Sequence, residues 1–494
     1  MVVQLILGFY SRKIFINYLG DEILGLNTTA VNILQFLNLA ELGIGTAVGF
    51  SLYKPLRARD HETICEIIAL QGILYRRIAL WMIAGAMIVM AFFPIIFKKI
   101  DLPLWYAYAS FGVMLFSSLL SYFISYRQVL LSSAQKDYSI QFSYRTWIIV
   151  KTVCQMIAVW KLSNPYVWWL ILEVVFSLIA TLSLNHKIKK TFPYLKPVNK
   201  NFQDLKGRYR VIFTKIKQLI FHRISGFALL QSSPLIIYAY LSLTVVTIYG
   251  NYLIIVNGIK TTCDTIFGGT AAGIGDLVAE NDMKKIMAVF VEMYSTRIFI
   301  AAVSVMSFVV LSPSFLQLWI GSTYLLPYGT VLIIAATLFI SIFRNAVDLF
   351  QNAFGLFQDI WAPIAEAVIN VLVSIILGRF FGLLGILAGP LAGLVIIVVI
   401  WKPFFLFTKG MKVSPSVYFK LFIQHIISVS CAAIIVLILF KWVPLDPNAN
   451  WMSFSIYSLM FVLGMSFSTG VFLYFTSTGF RTFIKRLYRM TLRK

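Results

Sequence analysis

Apolar runs of about twenty residues, separated by short polar turns, recur from one end of this 494-residue chain to the other. A helix rising 1.5 Å per residue needs about that length to cross the hydrocarbon of a bilayer. Unpaired peptide groups find no water there, so spanning segments are helices or closed barrels, and continuous rather than alternating apolar runs select helices. The runs fall near 1–18, 28–53, 70–94, 104–131, 139–160, 165–185, 217–242, 246–270, 288–312, 326–350, 360–379, 383–406, 417–440 and 453–477. Hydrophobic types make up 60% of the chain and charged types 12%, against roughly 45–50% and 25% in soluble domains. A soluble multidomain enzyme, a disordered scaffold and a disulfide framework are thereby excluded. The first run begins at Met1 and carries Arg12 and Lys13, so its completeness is open. No basic segment precedes it, and no cleavable leader is expected.

The net charge of +23 must be read by position. With the amino terminus placed in the cytoplasm, inner loops hold Lys54, Arg57, Arg59, Arg127, Lys136, a dense set from Lys187 to Lys217, Lys284, Lys285, Lys402, Lys409, Lys412 and the tail from Arg481 to Lys494. Outer loops hold only Lys98, Lys99, Lys161, Arg379 and Lys441, with Asp21 and Glu22 in a first outer loop over 19–27. This bias predicts an even number of spans with both termini cytoplasmic, and it assigns the excess charge to topology and anionic lipid rather than nucleic acid. The longest hydrophilic stretch divides the first twelve spans into sixes. The expected organisation is an N-lobe over 1–185, a basic linker over 186–216 with room for an amphipathic helix, a C-lobe over 217–406, two further helices over 407–480, and a basic tail over 481–494. Internal symmetry is faint: FINYLGDEILGL (15–26) echoes IYAYLSLTVVTIY (237–249), and a GIG triplet follows each, at 43–45 and 273–275.

Charge at membrane depth normally faces a cavity or a partner. The candidates for substrate contact are Arg12, Lys13, Arg145, Lys151, Lys260 and Arg297; the acidic candidates, for coupling or structure, are Glu41, Asp264 and Glu366. Glu173 and Glu292 also lie in apolar runs. Arg344 and Asp348 have the four-residue spacing of a self-neutralising pair; Lys260 and Asp264 share it, as a structural pair or a switch. Arg145 can snorkel from an edge, whereas Lys151 has no acidic residue on its own helix. Glu41 lies beside Gly43, Gly45 and Gly49, where it can take a cation or proton or meet a basic residue across the bundle. The spacings Gly45/Gly49, Gly269/Gly273 and Gly385/Gly389/Gly393 read first as packing devices. The four cysteines and four histidines have no ligand spacing, and there is no phosphate-binding loop, HExxH or CxxC. A lone N-x-T sequon stands at Asn27. Neither a catalytic site nor a metal is expected, and any work of transport draws on a gradient or on the solute itself.

Three segments carry a family likeness: YSRKIFINYLGDEILGLNTTAVNILQFLNLAELGIGTAVGFSLYKPL (10–56), YGNYLIIVNGIKTTCDTIFGGTAAGIGDLVAEN (249–281) and QNAFGLFQDIWAPIAEAVINVLVSIILGRFFGLLGILAGPLAG (351–393). They resemble bacterial O-antigen and capsule flippases of the polysaccharide transporter family, in the multidrug/oligosaccharidyl-lipid/polysaccharide exporter superfamily. The resemblance implies an all-α polytopic membrane protein of about 14 transmembrane helices. Its MATE/MurJ-like arrangement would be two pseudo-symmetric six-helix lobes around a central cavity plus two C-terminal helices, in a bacterial inner membrane. It implies alternating-access translocation of undecaprenyl-pyrophosphate-linked oligosaccharide, with basic cavity residues, carried here onto Arg12 or Lys13 and then Arg145, Lys151, Lys260 and Arg297. No cofactor is implied beyond coupling to a proton or sodium gradient or to membrane potential. The partners would be the polyprenyl-pyrophosphate-linked oligosaccharide, membrane lipids, and a glycan polymerase with its chain-length regulator. A related lipid-linked precursor flippase, a cation-coupled multidrug exporter and an integral membrane glycan polymerase are the competing classes.

Overall fold

The computed structural model describes residues 2–492 apart from 42–43, 99–101, 135, 199, 215, 217–231, 268–269, 357 and 360. Most of the expected crossing at 217–242 therefore lies outside the described residues, as do Gly43, Lys99, Lys217, Gly269, Arg493 and Lys494. Among the described residues every regular element is helical. Nine described helices are long and apolar enough to cross a membrane, so this is a multi-pass membrane protein. The chain divides into two compact units, Met1–Thr247 and Ile248–Lys494.

The first unit contains α1 (Val2–Leu19), α2 (Asp21–Leu37), α3 (Ile44–Ala58), α4 (His61–Ala91), α5 (Trp105–Phe123), α6 (Thr146–Lys161), α7 (Pro165–Thr191) and the short α8 (Phe202–Arg208). It ends inside α9 (Leu243–Phe267). Two sequence expectations change here. The outer loop over 19–27 shrinks to Gly20, whose φ of 88° is open to glycine, and the chain is helical again from Asp21. The continuous span over 28–53 is instead broken by a 3₁₀ turn at Asn38–Glu41 between α2 and α3. The sequon is also closed as an acceptor. Asn27 is buried in α2, and its side-chain oxygen accepts hydrogen bonds from Ser110 and Tyr166.

The two echoing segments meet. Thr247 donates its hydroxyl to the Asp21 carbonyl at 2.7 Å, and a Cβ on Gly25 would lie 2.3 Å from the Leu243 carbonyl oxygen. Small residues let backbones approach this closely.

The basic linker is docked rather than free. α4 starts at His61, ahead of the expected 70, and brings the buried Glu66 into reach. Glu66 pairs with Lys200, with Arg208 at 2.9 Å, and with the Tyr209 hydroxyl at 2.6 Å. Burial, together with Glu66, pushes the Tyr209 phenol up to about 12, so it remains a donor at neutral pH. Tyr194 stacks on His61 at 3.8 Å, and Arg77 lies 3.9 Å above the Phe202 ring. Leu205 and Ile212 join the apolar core of α3 and α4. The amphipathic segment expected within the linker thus lays its apolar side on protein.

The second unit holds the rest of α9, then α10 (Thr270–Ala279), α11 (Met283–Ile320), α12 (Tyr328–Ala353), α13 (Trp361–Gly393, continuing to Gly410), α14 (Ser416–Phe440), α15 (Trp451–Thr476) and α16 (Thr478–Leu492). α11 is the hub, touching α12, α14, α15 and α16. The basic tail is not loose: α16 lies so close to α11 that a Cβ on Gly479 would sit 2.4 Å from the Val291 carbonyl oxygen. A single 50-residue run over Trp361–Gly410 would be about 75 Å long if straight, over twice the hydrocarbon thickness. It turns back at Gly382, where φ is 57° and ψ −132°. The two arms press together along Gly385, Gly389 and Gly393; the Ser374 hydroxyl donates to the Ile386 carbonyl at 2.7 Å.

A Cβ on Gly389 would lie 2.0 Å from Ser374 Oγ and 2.3 Å from the Asn370 carbonyl oxygen. Gly389→Val is expected to destabilise by more than about 3 kcal/mol, because the overlap is with backbone. Gly258→Ala, which meets open space, should leave thermal unfolding in detergent unchanged. Glu66→Ala should speed tryptic cleavage between Lys196 and Arg208 about tenfold by undocking the linker; equal cleavage in both proteins would contradict the docking.

Candidate functional site

The charges read from sequence are not scattered. In the first unit, α1 packs on α6 and α6 on α7. Lys151 on α6 meets Glu173 on α7 at 2.6 Å, and Gln155, one turn on, donates to the other carboxylate oxygen at 3.0 Å. Lys151 lacks an acidic partner on its own helix, as expected, but finds one on the next. Both side chains are largely covered, at 13% and 15% exposed. The Arg12 guanidinium donates to the Thr247 carbonyl at 3.1 Å, tying α1 to the start of α9. Lys13 is half-buried on the same helix. Arg145 ends a π-helical turn (Gln141–Arg145) and is exposed.

Glu41 sits where the 3₁₀ turn interrupts the helix. Tyr75 and Tyr122 each donate a hydroxyl to it at 2.8 Å, one to each carboxylate oxygen; Tyr122 also lies 2.8 Å from the Asn38 side-chain oxygen. No lysine or arginine pairs with Glu41 among the described residues. Of the two readings left open by sequence, the basic partner is not found; the ligands are neutral hydroxyls.

The second unit gathers a larger network. Arg344 and Asp348 on α12 pair at 2.9 Å, the four-residue contact expected from spacing. Sequence did not reveal two additions. Lys402, on the far arm of α13, reaches Asp348 at 2.7 Å, and Glu366, on its near arm, lies 3.6 Å from Arg344. Glu366 is 2% exposed. Lys260 on α9 is within electrostatic reach of Arg344 and Asp264, and buried Arg297 on α11 within reach of Asp264 and Asp348. Four basic residues (Lys260, Arg297, Arg344, Lys402) thus face three acidic ones (Asp264, Asp348, Glu366). Glu292 lies outside this group; Arg486 of α16 pairs with it at 2.9 Å.

Lys402, Glu66, Tyr75 and Tyr122 escaped the sequence reading. Lys402 was placed in a loop by the charge rule, and the two tyrosines lacked any spacing relation to Glu41. Among the described residues no group of histidine, cysteine or carboxylate side chains has the arrangement of a metal site.

Comparison with solved structures identifies the fold. A lipid II flippase MurJ in an inward closed conformation superposes with a TM-score of 0.65 at 14% identity, over 95% of this chain and 96% of that one. An inward-facing multidrug resistance MATE family transporter of the MOP superfamily matches at 0.59 and 12% identity, over 79% of this chain and 92% of that one. A MATE structure in a bent conformation matches at 0.50 and 13% identity, over 81% and 91%. No family model matches the sequence, and no curated protein sequence does. The chain therefore shares its fold with these MurJ and MATE structures, and identities this low show the fold alone.

Asp348 joins two basic residues, so removing it strips both. Asp348→Asn is expected to lower stability by about 1–3 kcal/mol, below the range for a fully buried pair because Asp348 and Arg344 stay 27% and 22% exposed. Lys402→Met should lower it by less, because Arg344 still compensates Asp348. Thermal unfolding in detergent, read by size-exclusion chromatography, checks the order; a more damaging Lys402→Met would contradict the network.

Proposed function

We propose that this chain is a flippase for undecaprenyl-pyrophosphate-linked oligosaccharide repeat units of a bacterial surface glycan, working by alternating access in the inner membrane. The observation that carries the reading is the set of basic residues at membrane depth within a MurJ/MATE-like fold. The sequence resemblance to O-antigen and capsule flippases points the same way. Such a load combines two phosphates, a polar sugar and a long lipid tail. Sugar hydroxyls cannot shed water into hydrocarbon without loss, so they need a hydrated route. Phosphates need charge-assisted donors, and those donors must release as well as bind.

Paired cations meet that second requirement. Lys151 already has Glu173 at 2.6 Å, so a phosphate competes for it rather than occupying a bare charge. Arg12, Lys13, Arg145, Lys260 and Arg297 complete the proposed phosphate contacts. Among the acidic candidates, Glu41 suits coupling to a proton or cation gradient, because its hydrogen-bond donors among the described residues are hydroxyls; Glu366 is tied to Arg344. The proposed layout has both termini in the cytoplasm, about fourteen crossings, six-helix lobes over 1–185 and 217–406, and helices over 407–480. No step breaks or forms a covalent bond, so the proposed protein is a carrier rather than an enzyme. Its proposed partners are the lipid-linked oligosaccharide, membrane lipid, and the polymerase with its chain-length regulator.

A multidrug exporter is the competing reading favoured by the MATE likeness. It needs carboxylates available to cationic drugs; Glu173, Asp348 and Glu366 are each engaged by a basic residue, which leaves Glu41, held by Tyr75 and Tyr122, as the carboxylate that reading would use.

The test is complementation of a host lacking its own repeat-unit flippase, with glycan display compared at matched protein abundance. Wild-type chain is expected to restore display. Lys151→Ala should lower it without preventing membrane insertion. Lys151→Ala with Glu173→Gln should stay low, because the neutral pair restores packing but not a phosphate contact. Recovery in the double variant would remove Lys151 from the transport path. Failure of wild-type chain to relieve accumulated lipid-linked glycan, across hosts with different glycans, would overturn the function.

A further inference from the structure

Docking of the linker builds a cavity of about 490 Å³ inside the first unit, between the first half of α4, the turn at Tyr126–Arg127, the end of α7 and the segment 195–198. Four of its lining residues are cationic: Arg76, Arg127, Lys189 and Lys196. None is acidic. The nearest carboxylate in sequence, Glu66, follows the lining residue Cys65, but it is already engaged by Lys200, Arg208 and Tyr209. Four cationic residues from separate elements therefore border one hollow, Arg127 half-buried and Arg76, Lys189 and Lys196 exposed, and none of its described lining residues is acidic. Such convergence raises the energy of the empty site and lowers that of an anion within it.

We propose that this cavity is a binding site for a phosphate-bearing ligand, separate from the residues assigned to transport. Two arginines supply planar, multiply donating groups that match phosphate oxygens, and two lysines supply compact charge. Arg127 is oriented, since its Nε donates to the Tyr126 hydroxyl at 3.2 Å. The rest of the wall is apolar, Ile68, Ile73 and Leu195 among it. A wall of that kind suits a phosphate attached to an organic group, and the volume is that of an ordinary small-ligand pocket. One wall comes from the linker itself, so occupancy and linker docking reinforce each other. The site does not depend on what the protein transports.

The experiment uses the full-length protein in neutral detergent. In one arm phosphatidylglycerol is titrated and lipid adducts are counted by native mass spectrometry; in the other, inorganic pyrophosphate is titrated and the rise in unfolding temperature recorded. Wild type is expected to bind at least one of these saturably. Arg76→Gln with Arg127→Gln should weaken that binding about tenfold or more, as expected for lost charge-assisted bonds. Lys187→Gln with Lys190→Gln, which removes the same charge from the same stretch outside the cavity lining, should leave it unchanged. Lipid binding alone identifies a head-group site, and pyrophosphate binding alone a soluble phosphate compound; either supports the proposal. Equal weakening in both double variants, or no saturable binding of either probe, overturns it. If the arginine variant fails to fold, Lys189→Gln with Lys196→Gln makes the same comparison.

Discussion

A charge carried into hydrocarbon loses its water, and the loss is bearable only where an opposite charge or a strong donor replaces it. That single requirement organises this molecule. Lys151 and Glu173 join α6 to α7, Asp348 joins α12 to the far arm of α13 through Lys402, and Glu292 joins α11 to the last helix through Arg486. In each case the partners come from different helices. Rotating either helix by one residue, about 100°, would separate them, so these pairs set register in bundles whose lipid-like side chains specify it weakly. Glycine contacts do the complementary work. They bring backbones together where no side chain fits, at Gly25, at Gly389 and at Gly479.

The legible part of the fold is the part governed by local rules. Length and hydropathy locate α1, α12, α14 and α15 to within a few residues, while α7 and α11 run past their expected ends to Thr191 and Ile320; the reversal between the arms of α13 falls in the expected 380–382 turn, at Gly382. The errors have a common origin. Hydropathy averaging places a boundary where polarity changes, whereas a helix continues as long as its hydrogen bonds do. α4 therefore runs back to His61 through polar residues, capped by the Asp60 side chain on the Thr63 amide. The opposite error falls at Asn38–Glu41, where an apolar stretch hides a break in the helix.

Of the site, the identity of the charges was legible and their partners were not. A four-residue spacing exposes Arg344 and Asp348, but Lys402 lies in a basic stretch that the orientation rule had already explained. One residue can answer to both demands. The same is true of the linker, where Lys200 and Arg208 count toward topology by charge and hold Glu66 by contact. A positional rule that accounts for a basic residue leaves its structural role open, and the two readings coexist in this chain.

The carboxylates then divide by what holds them. Glu66, Glu173, Asp348 and Glu366 each have an ammonium or guanidinium group as ion-pair partner. Glu41 faces two phenol hydroxyls instead. A hydroxyl can rotate between donating and accepting, whereas an ammonium or guanidinium can only donate. Glu41 further ends the 3₁₀ turn that separates α2 from α3. A group whose charge must change during a transport cycle needs this kind of surrounding, and a group that fixes helix register needs the other. The chain contains both kinds of surrounding, and the hydroxyl-held carboxylate stands at the interruption between two helices, which is why it, rather than a paired carboxylate, is the one proposed for coupling.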